Sequence, residues 1–316
     1  MKHFSALLLG ITTLLALPSI DAAYSVLEEQ YRGEDFFNKF DFWNQKDPTK
    51  GYVNYVDRGT AQANGLIAAD SRGAYIGVDS KTIPGPEGRM SVRLESKKRF
   101  NRGLFLFDVQ HMPGGICGTW PAIWTLGEGL WPGNGEIDVI EGVHNNNYNH
   151  IALHTTEGCT TTSQAQKGQT LTPNCFISAP GQDNNAGCGT RDWDTRSYGA
   201  GFNANGGGVY AMEWNSEHIK VWFFPRGQIP ADIQGSNPEP VNWGVPVAEF
   251  KGGCDIDKHF KAHRIIINTT FCGDWAGAVF AQSGCGAGSC EAWVKNNPQA
   301  FKEAYWQMNS IRVFSS

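Results

Sequence analysis

The chain is written in short runs of β-forming residues cut by turn signals, and that spacing leaves few folds open to it. "GLFLFDVQHM" (Gly103 to Met112), "HIALHTT" (His150 to Thr156) and "RIIINTTF" (Arg264 to Phe271) are three such runs. "GVYAMEWNSEHIKVWFFP" reads as a hairpin around a polar turn near Asn215 to His218, and "YWQMNSIRVF" as the last strand. Helix signals are few. The best is "NNPQAFKEAYW", where Asn297 can cap and Pro298 suits the first helical position. From Gly158 to Gly208 apolar periodicity is missing, which predicts a long loop. Many strands and few helices in one unit predict an all-β sandwich of two packed antiparallel sheets. The 38 Gly and 11 Trp among 316 residues agree with a turn-rich, aromatic-rich β protein.

The opening segment, "MKHFSALLLGITTLLALPSIDAA", has a basic start, a short apolar run and small residues at Ala22 and Ala23. That is the form of a cleaved secretory signal over residues 1–23. Its apolar run is too short for a comfortable membrane span, and no second span follows. The mature chain is expected from Tyr24, as one domain over 24–316, since no repeat or Ser/Thr/Pro-rich linker divides it. "NSIRVFSS" at the end has no apolar tail, so neither a lipid anchor nor a membrane partner is expected. Eight cysteines behind such a signal predict disulfides, with Cys159, Cys175 and Cys188 pinning the 158–208 region and the pairing left open. There is no CxxC or HExxH, so zinc and redox chemistry are not indicated. A net charge of −5, with no basic cluster beyond "KKR" at Lys97 to Arg99, argues against nucleic acid.

Within this pattern one run is out of place. "WPGNGEIDVIEGVH" puts Glu136, Asp138 and Glu141 among apolar neighbours, where charge is costly. In a regular strand Glu136 and Asp138 share a face and Glu141 turns into the core. One extra residue at Val139–Ile140, a β-bulge, shifts the phase and returns Glu141 to the side of the other two. A helix would point residues 136 and 138 apart. Three carboxylates on one face repel each other, and such repulsion raises the pKa of the least solvated member. Two carboxyls flanking a glycosidic bond are the apparatus of a glycosidase; a retaining enzyme holds them about 5–5.5 Å apart. Calcium is the alternative use of such a cluster, but its ligands usually come from loops. No metal or cofactor is expected, with a structural calcium left open.

"GEIDVIEG" resembles the Glu-x-Asp-x-x-Glu signature of glycoside hydrolase family 16, in the form carried by its laminarinase-like branch. "FFNKFDFWNQKDPTKGYVNYVD", "HMPGGICGTWPAIWTLG", "YAMEWNSEHIKVWFFPRG", "FCGDWAG" and "AYWQMNSIRVF" extend the likeness, to secreted fungal endo-β-1,3(4)-glucanases, over nearly the whole mature chain. The resemblance implies a curved jelly-roll sandwich with an open concave substrate cleft, and retention of configuration. By position Glu136 matches the nucleophile, Glu141 the acid/base and Asp138 the residue between them. The expectation is therefore a secreted, monomeric endo-β-glucanase acting on a β-glucan polysaccharide. A wall-glucan transglycosylase and a non-catalytic glucan-binding lectin are the alternatives.

Other residues are weighed against that cleft. Trp120 and Trp124 face the same way on a strand, so both are core or both are cleft; the resemblance favours the cleft. Trp131 reads as a rim contact. His154 shares a face with His150 and Ala152 and reads as a cleft histidine able to tune a proton. His144 and His150 read as surface residues. Glu213 reads as an inward carboxylate, binding sugar or pairing with Arg93 or Arg264, with Tyr210, Met212 and Trp214 on the opposite face. Asn54, Asp274 and Trp275 are substrate contacts through the resemblance alone. Asn268-Thr269-Thr270 is a glycosylation sequon inside a strand-like run, a poor acceptor.

Overall fold

A computed structural model describes residues 24–315. The expected leader, 1–23, lies outside the described residues. Two eight-stranded antiparallel sheets stack on each other, and a short parallel pair, Val53–Tyr55 with Arg89–Ser91, sits beside them. The strands expected from the sequence are present at Gly103–His111, Asn149–His154, His263–Phe271, the hairpin Gly208–Trp214 with Ile219–Pro225, and Tyr305–Ser315. No helix among the described residues is long and apolar enough to cross a membrane.

Alternation decides what lies between the sheets. Leu94, Ile123, Ile137, Ile151, Leu153, Ile265 and Ile267 of one sheet meet Phe105, Phe107, Tyr210, Met212, Trp214 and Val313 of the other in a single core. The second sheet also carries an apolar patch on its back. Leu106, Val209, Ala211 and Trp222 are covered there by Ile233 and Trp243 of the following loop. The first sheet keeps its outer face polar. Across it run, in order, Gln169–Thr172, Cys188–Asp192, Asn149–His154, Glu136–Glu141, Thr119–Gly127, His263–Phe271, Arg93–Ser96 and Phe40–Phe42.

Two expectations change. The 158–208 region is no plain loop: it contributes the two edge strands Gln169–Thr172 and Cys188–Asp192 and a helical turn at Gly199–Ala204. These strands are short, and the outermost alternates between exposed and half-buried residues, so no apolar period marks it. Cys175–Cys188 and Cys159–Cys254 tie the region down. The C-terminal helix also sits earlier than expected, over Cys290–Asn296, capped by the Ser289 hydroxyl. Asn297 ends that helix, and Pro298–Phe301 is a single tight turn. Cys290, the first residue of the helix, is bonded to Cys272; Cys117–Cys285 is the fourth bridge.

Candidate active site

The turn before the carboxylate strand fixes where that strand begins. Gly135 has φ +81, and a Cβ there would come within 2.6 Å of the His259 carbonyl oxygen, so only glycine fits. The strand then pairs regularly with its neighbour through Asp138↔Trp124 and slips one residue, so that Ile140 faces Ile123 and Glu141 faces Ala122. Val139 is the extra residue. Val139 and Ile140 both enter the core, and Glu141 rejoins Glu136 and Asp138 on the open face. On the other side, pairing with Asn149–His154 stops at Asp138↔Ala152. The Asn149 side chain takes over from the missing ladder. Its Oδ1 accepts from the Glu141 backbone N–H at 2.9 Å, and its Nδ2 donates to the Val139 carbonyl at 2.8 Å. Asn149 is wholly buried, and nothing in the sequence singled it out.

Each carboxylate has its own surroundings. The Trp131 indole N–H donates to Glu136 at 2.7 Å, and the Trp120 indole N–H to Glu141 at 2.8 Å. Asp138 is 2% exposed and lies on the same face beside Glu136, a carboxylate oxygen of each within 4.8 Å of the other. His154 Nε2 is 3.2 Å from Asp138 Oδ2, but the angle is poor and this oxygen has no hydrogen-bond partner. Burial, then the charge of Glu141, pushes the Asp138 carboxyl well above the usual carboxylate range. Glu136 is pushed up to about 8, first by burial and then by the charge of Asp138. A proton on Asp138 removes that second cause. Burial, the larger cause, remains, with the Trp131 N–H working against it. Both buried carboxyls, Glu136 and Asp138, are thus pushed toward the protonated form.

Oxygens of Glu136 and Asp138 and a ring nitrogen of His154 lie within 4.8 Å of one another. Three side-chain ligands fall short of the roughly six to eight oxygens that calcium takes, and Glu136 is already held by Trp131.

The remaining expected residues divide. Trp124 lies on the open face beside Asp138; its indole N–H donates to Asn268 Oδ1 at 2.8 Å, and the Arg93 guanidinium lies 5.1 Å from its ring. Trp275 stands edge-on to Trp120 with centroids 5.6 Å apart, on a tight turn at Gly273–Gly277 that follows Cys272. Asp274, on the same turn, is exposed and pairs with Lys50 at 2.9 Å rather than with the trio. Asn54 is half-buried in the strand Val53–Tyr55, and its neighbour Tyr55 accepts from Asn268 Nδ2 at 3.0 Å. With both amide atoms of Asn268 engaged and the residue buried, the sequon has no room for a sugar.

Three expectations are corrected. Glu213 belongs to the second sheet, on its back face, and pairs with His218 at 2.8 Å; Arg93 and Arg264 pair with Glu95 instead. Strand parity had placed Tyr210, Met212 and Trp214 opposite Glu213, but parity does not tell which sheet a strand joins. His144 is buried, not at the surface: it accepts from the Gly118 N–H and contacts the Ala276 carbonyl. His150 is no bystander either. Its ring lies 3.8 Å from Glu141 Oε2 and 5.7 Å from the Trp275 ring. Its shared face with His154 was the available signal.

The chain matches the XgeA-like catalytic GH16 domain over residues 40–314. It is 45% identical to an endo-1,3(4)-beta-glucanase of Arthroderma benhamiae over 96% of this chain and 68% of that protein. A probable endo-1,3(4)-beta-glucanase of Aspergillus niger is likewise 45% identical, but this chain spans only 41% of its length. Laminarinase 16A of Phanerochaete chrysosporium, solved with 6-O-glucosyl-laminaritriose in donor and acceptor sites, superposes with a TM-score of 0.89 at 45% identity, covering 93% of this chain and 100% of that one. An elongating family 16 β-1,3-glucosyltransferase gives 0.87 at 43% identity, covering 92% and 99%. The bulged carboxylate strand, the two-sheet sandwich and these matches agree: the chain belongs to glycoside hydrolase family 16.

Proposed function

We propose that the chain is a secreted, single-domain, monomeric endo-β-1,3(4)-glucanase that works by a retaining double displacement. The observation that carries this is the bulge at Val139, which sets Glu136 and Glu141 on one open face with a buried carboxyl between them. In the first step the Glu136 carboxylate attacks the anomeric carbon while Glu141 gives its proton to the departing glycosidic oxygen. The C–O bond breaks, the leaving chain departs as an alcohol, and the sugar is esterified to Glu136. In the second step Glu141, now the base, takes a proton from water, whose oxygen attacks the same carbon and frees Glu136. Two inversions retain the β configuration. Asp138 keeps a proton beside Glu136 and moderates the repulsion within the trio. Trp131 and Trp120 hold the two glutamates in place, and the chemistry uses no cofactor. Four disulfides and a leader of secretory form support an oxidising, extracellular setting.

Transfer to a second sugar in place of water is the second reading, favoured by the likeness to a family 16 glucosyltransferase. Incubation with laminarin, lichenan and barley glucan separates the two. Hydrolysis yields shorter oligosaccharides whose new reducing ends are first the β-anomer. Lengthened chains would establish transfer, and α-anomers first would overturn the retaining mechanism.

A further inference from the structure

The open face carries a row of register partners that runs away from Glu141 to the edge of the sheet. His150, beside Glu141, pairs with Arg191, and Arg191 pairs with Gln169 on the outermost strand. Residues opposite each other share a face, so the row faces the solvent side throughout. Trp193 stands at its end, just past the strand Cys188–Asp192. It is 57% exposed yet firmly held. Its indole N–H donates to Gln169 Oε1 at 3.2 Å, the Arg191 guanidinium lies 4.8 Å from its ring, and the Tyr148 ring is 5.8 Å away. Arg191 also lies 4.4 Å from Tyr148, so the cation is gripped between two aromatics.

Holding a large aromatic in one orientation in water costs side-chain entropy and leaves apolar surface wet. The same three contacts leave much of the indole open to a flat apolar partner. Two strand spacings, roughly 10 Å, separate the strand that ends just before Trp193 from the carboxylate strand, farther than a ring at the scissile bond would reach.

We propose that Trp193, backed by Arg191, Tyr148 and Gln169, is an outlying sugar-stacking subsite that takes a pyranose ring of a long β-glucan chain on the Glu141 side of the cleft. This rests on the glucanase reading above and adds the length of chain the enzyme prefers. Binding is measured by calorimetry in the Glu136→Gln background, with and without Trp193→Ala, using laminaribiose and laminarihexaose; cleavage of the same sugars is followed with Glu136 intact. The exposed position allows the variant to fold, and its melting temperature is compared with that of its parent. Trp193→Ala should weaken binding of the hexamer roughly tenfold, as expected for loss of one stacking face, and weaken the dimer far less. Trp193→Phe should restore most of the hexamer affinity. Equal losses for both lengths, or none, would overturn the subsite. If the hexamer binds in this length-dependent way but the Glu136 protein cleaves nothing, the subsite stands and the hydrolytic reading falls. If neither sugar binds, both fall.

Discussion

Asn149→Ala removes the clamp on the bulge and little else. It orphans the buried Val139 carbonyl and the Glu141 backbone N–H, which now bond the amide at 2.8 and 2.9 Å. A buried polar group left unpaired costs about 1–3 kcal/mol. Glu141 is only half-buried, so water regains part of the loss there, and a net cost of about 2–4 kcal/mol follows. In a chain of this size that lowers the melting temperature by roughly 5–10 °C. The consequence for activity is sharper. Glu141 follows the bulge directly, and a displacement of about 1 Å at a reacting group can cost on the order of a hundredfold. The variant should therefore lose kcat on laminarin by about 10- to 100-fold with KM little changed. Ser197→Ala is the contrast: it removes only the hydroxyl that accepts from the Asn149 backbone N–H at 3.1 Å and spares both clamp bonds, so kcat should fall much less. Denaturant unfolding and steady-state kinetics on the two variants decide the matter. An Asn149→Ala protein within about 0.5 kcal/mol of the parent and equally active would refute the clamp.

Two further outcomes follow from the charges and the bridges. Burial, then the charge of Asp138, lifts Glu136 from the usual carboxylate range to about 8 in the folded protein, so its neutral form is compatible with the fold and stability is lost as pH rises through that window. Glu136→Gln, always neutral, should be the more stable protein at pH 8, by about 2–4 kcal/mol, with the gap closing toward pH 4.5; a constant gap in melting curves would contradict the assignment. Replacing Cys175 and Cys188 with alanine opens a bridge of sequence separation 13 and should cost about 3 kcal/mol by freeing the unfolded chain; unchanged unfolding would show that the edge strands need no staple.

The legible parts of this site were those governed by local periodicity. Charge among apolar residues demanded a phase shift before Glu141, and the shift is at Val139. The four-residue spacing of Trp120 and Trp124 put them on one face, and both are there. What the sequence hid depends on partners distant along the chain. Asn149 looks like any strand-end polar residue until its amide meets the bulge. Glu213 has the right alternation on the wrong sheet. His150 matters because Glu141 lies beside it, and His144 is buried because Gly118 and Ala276 close over it. The edge strands at 169–172 and 188–192 lack apolar periodicity, and a disulfide helps hold them.

The division of labour between Glu136 and Glu141 is the central claim, and one product analysis tests it. Glu141→Ala, given an aryl β-glycoside of a laminarin oligosaccharide, should still form the glycosyl ester on Glu136, because an activated leaving group needs no proton. Release then stalls for want of a base. Added azide should attack the ester from the face opposite Glu136, restore turnover and give the β-glycosyl azide. An α-glycosyl azide from this variant would mean direct displacement without an ester and would reverse the roles of the two glutamates.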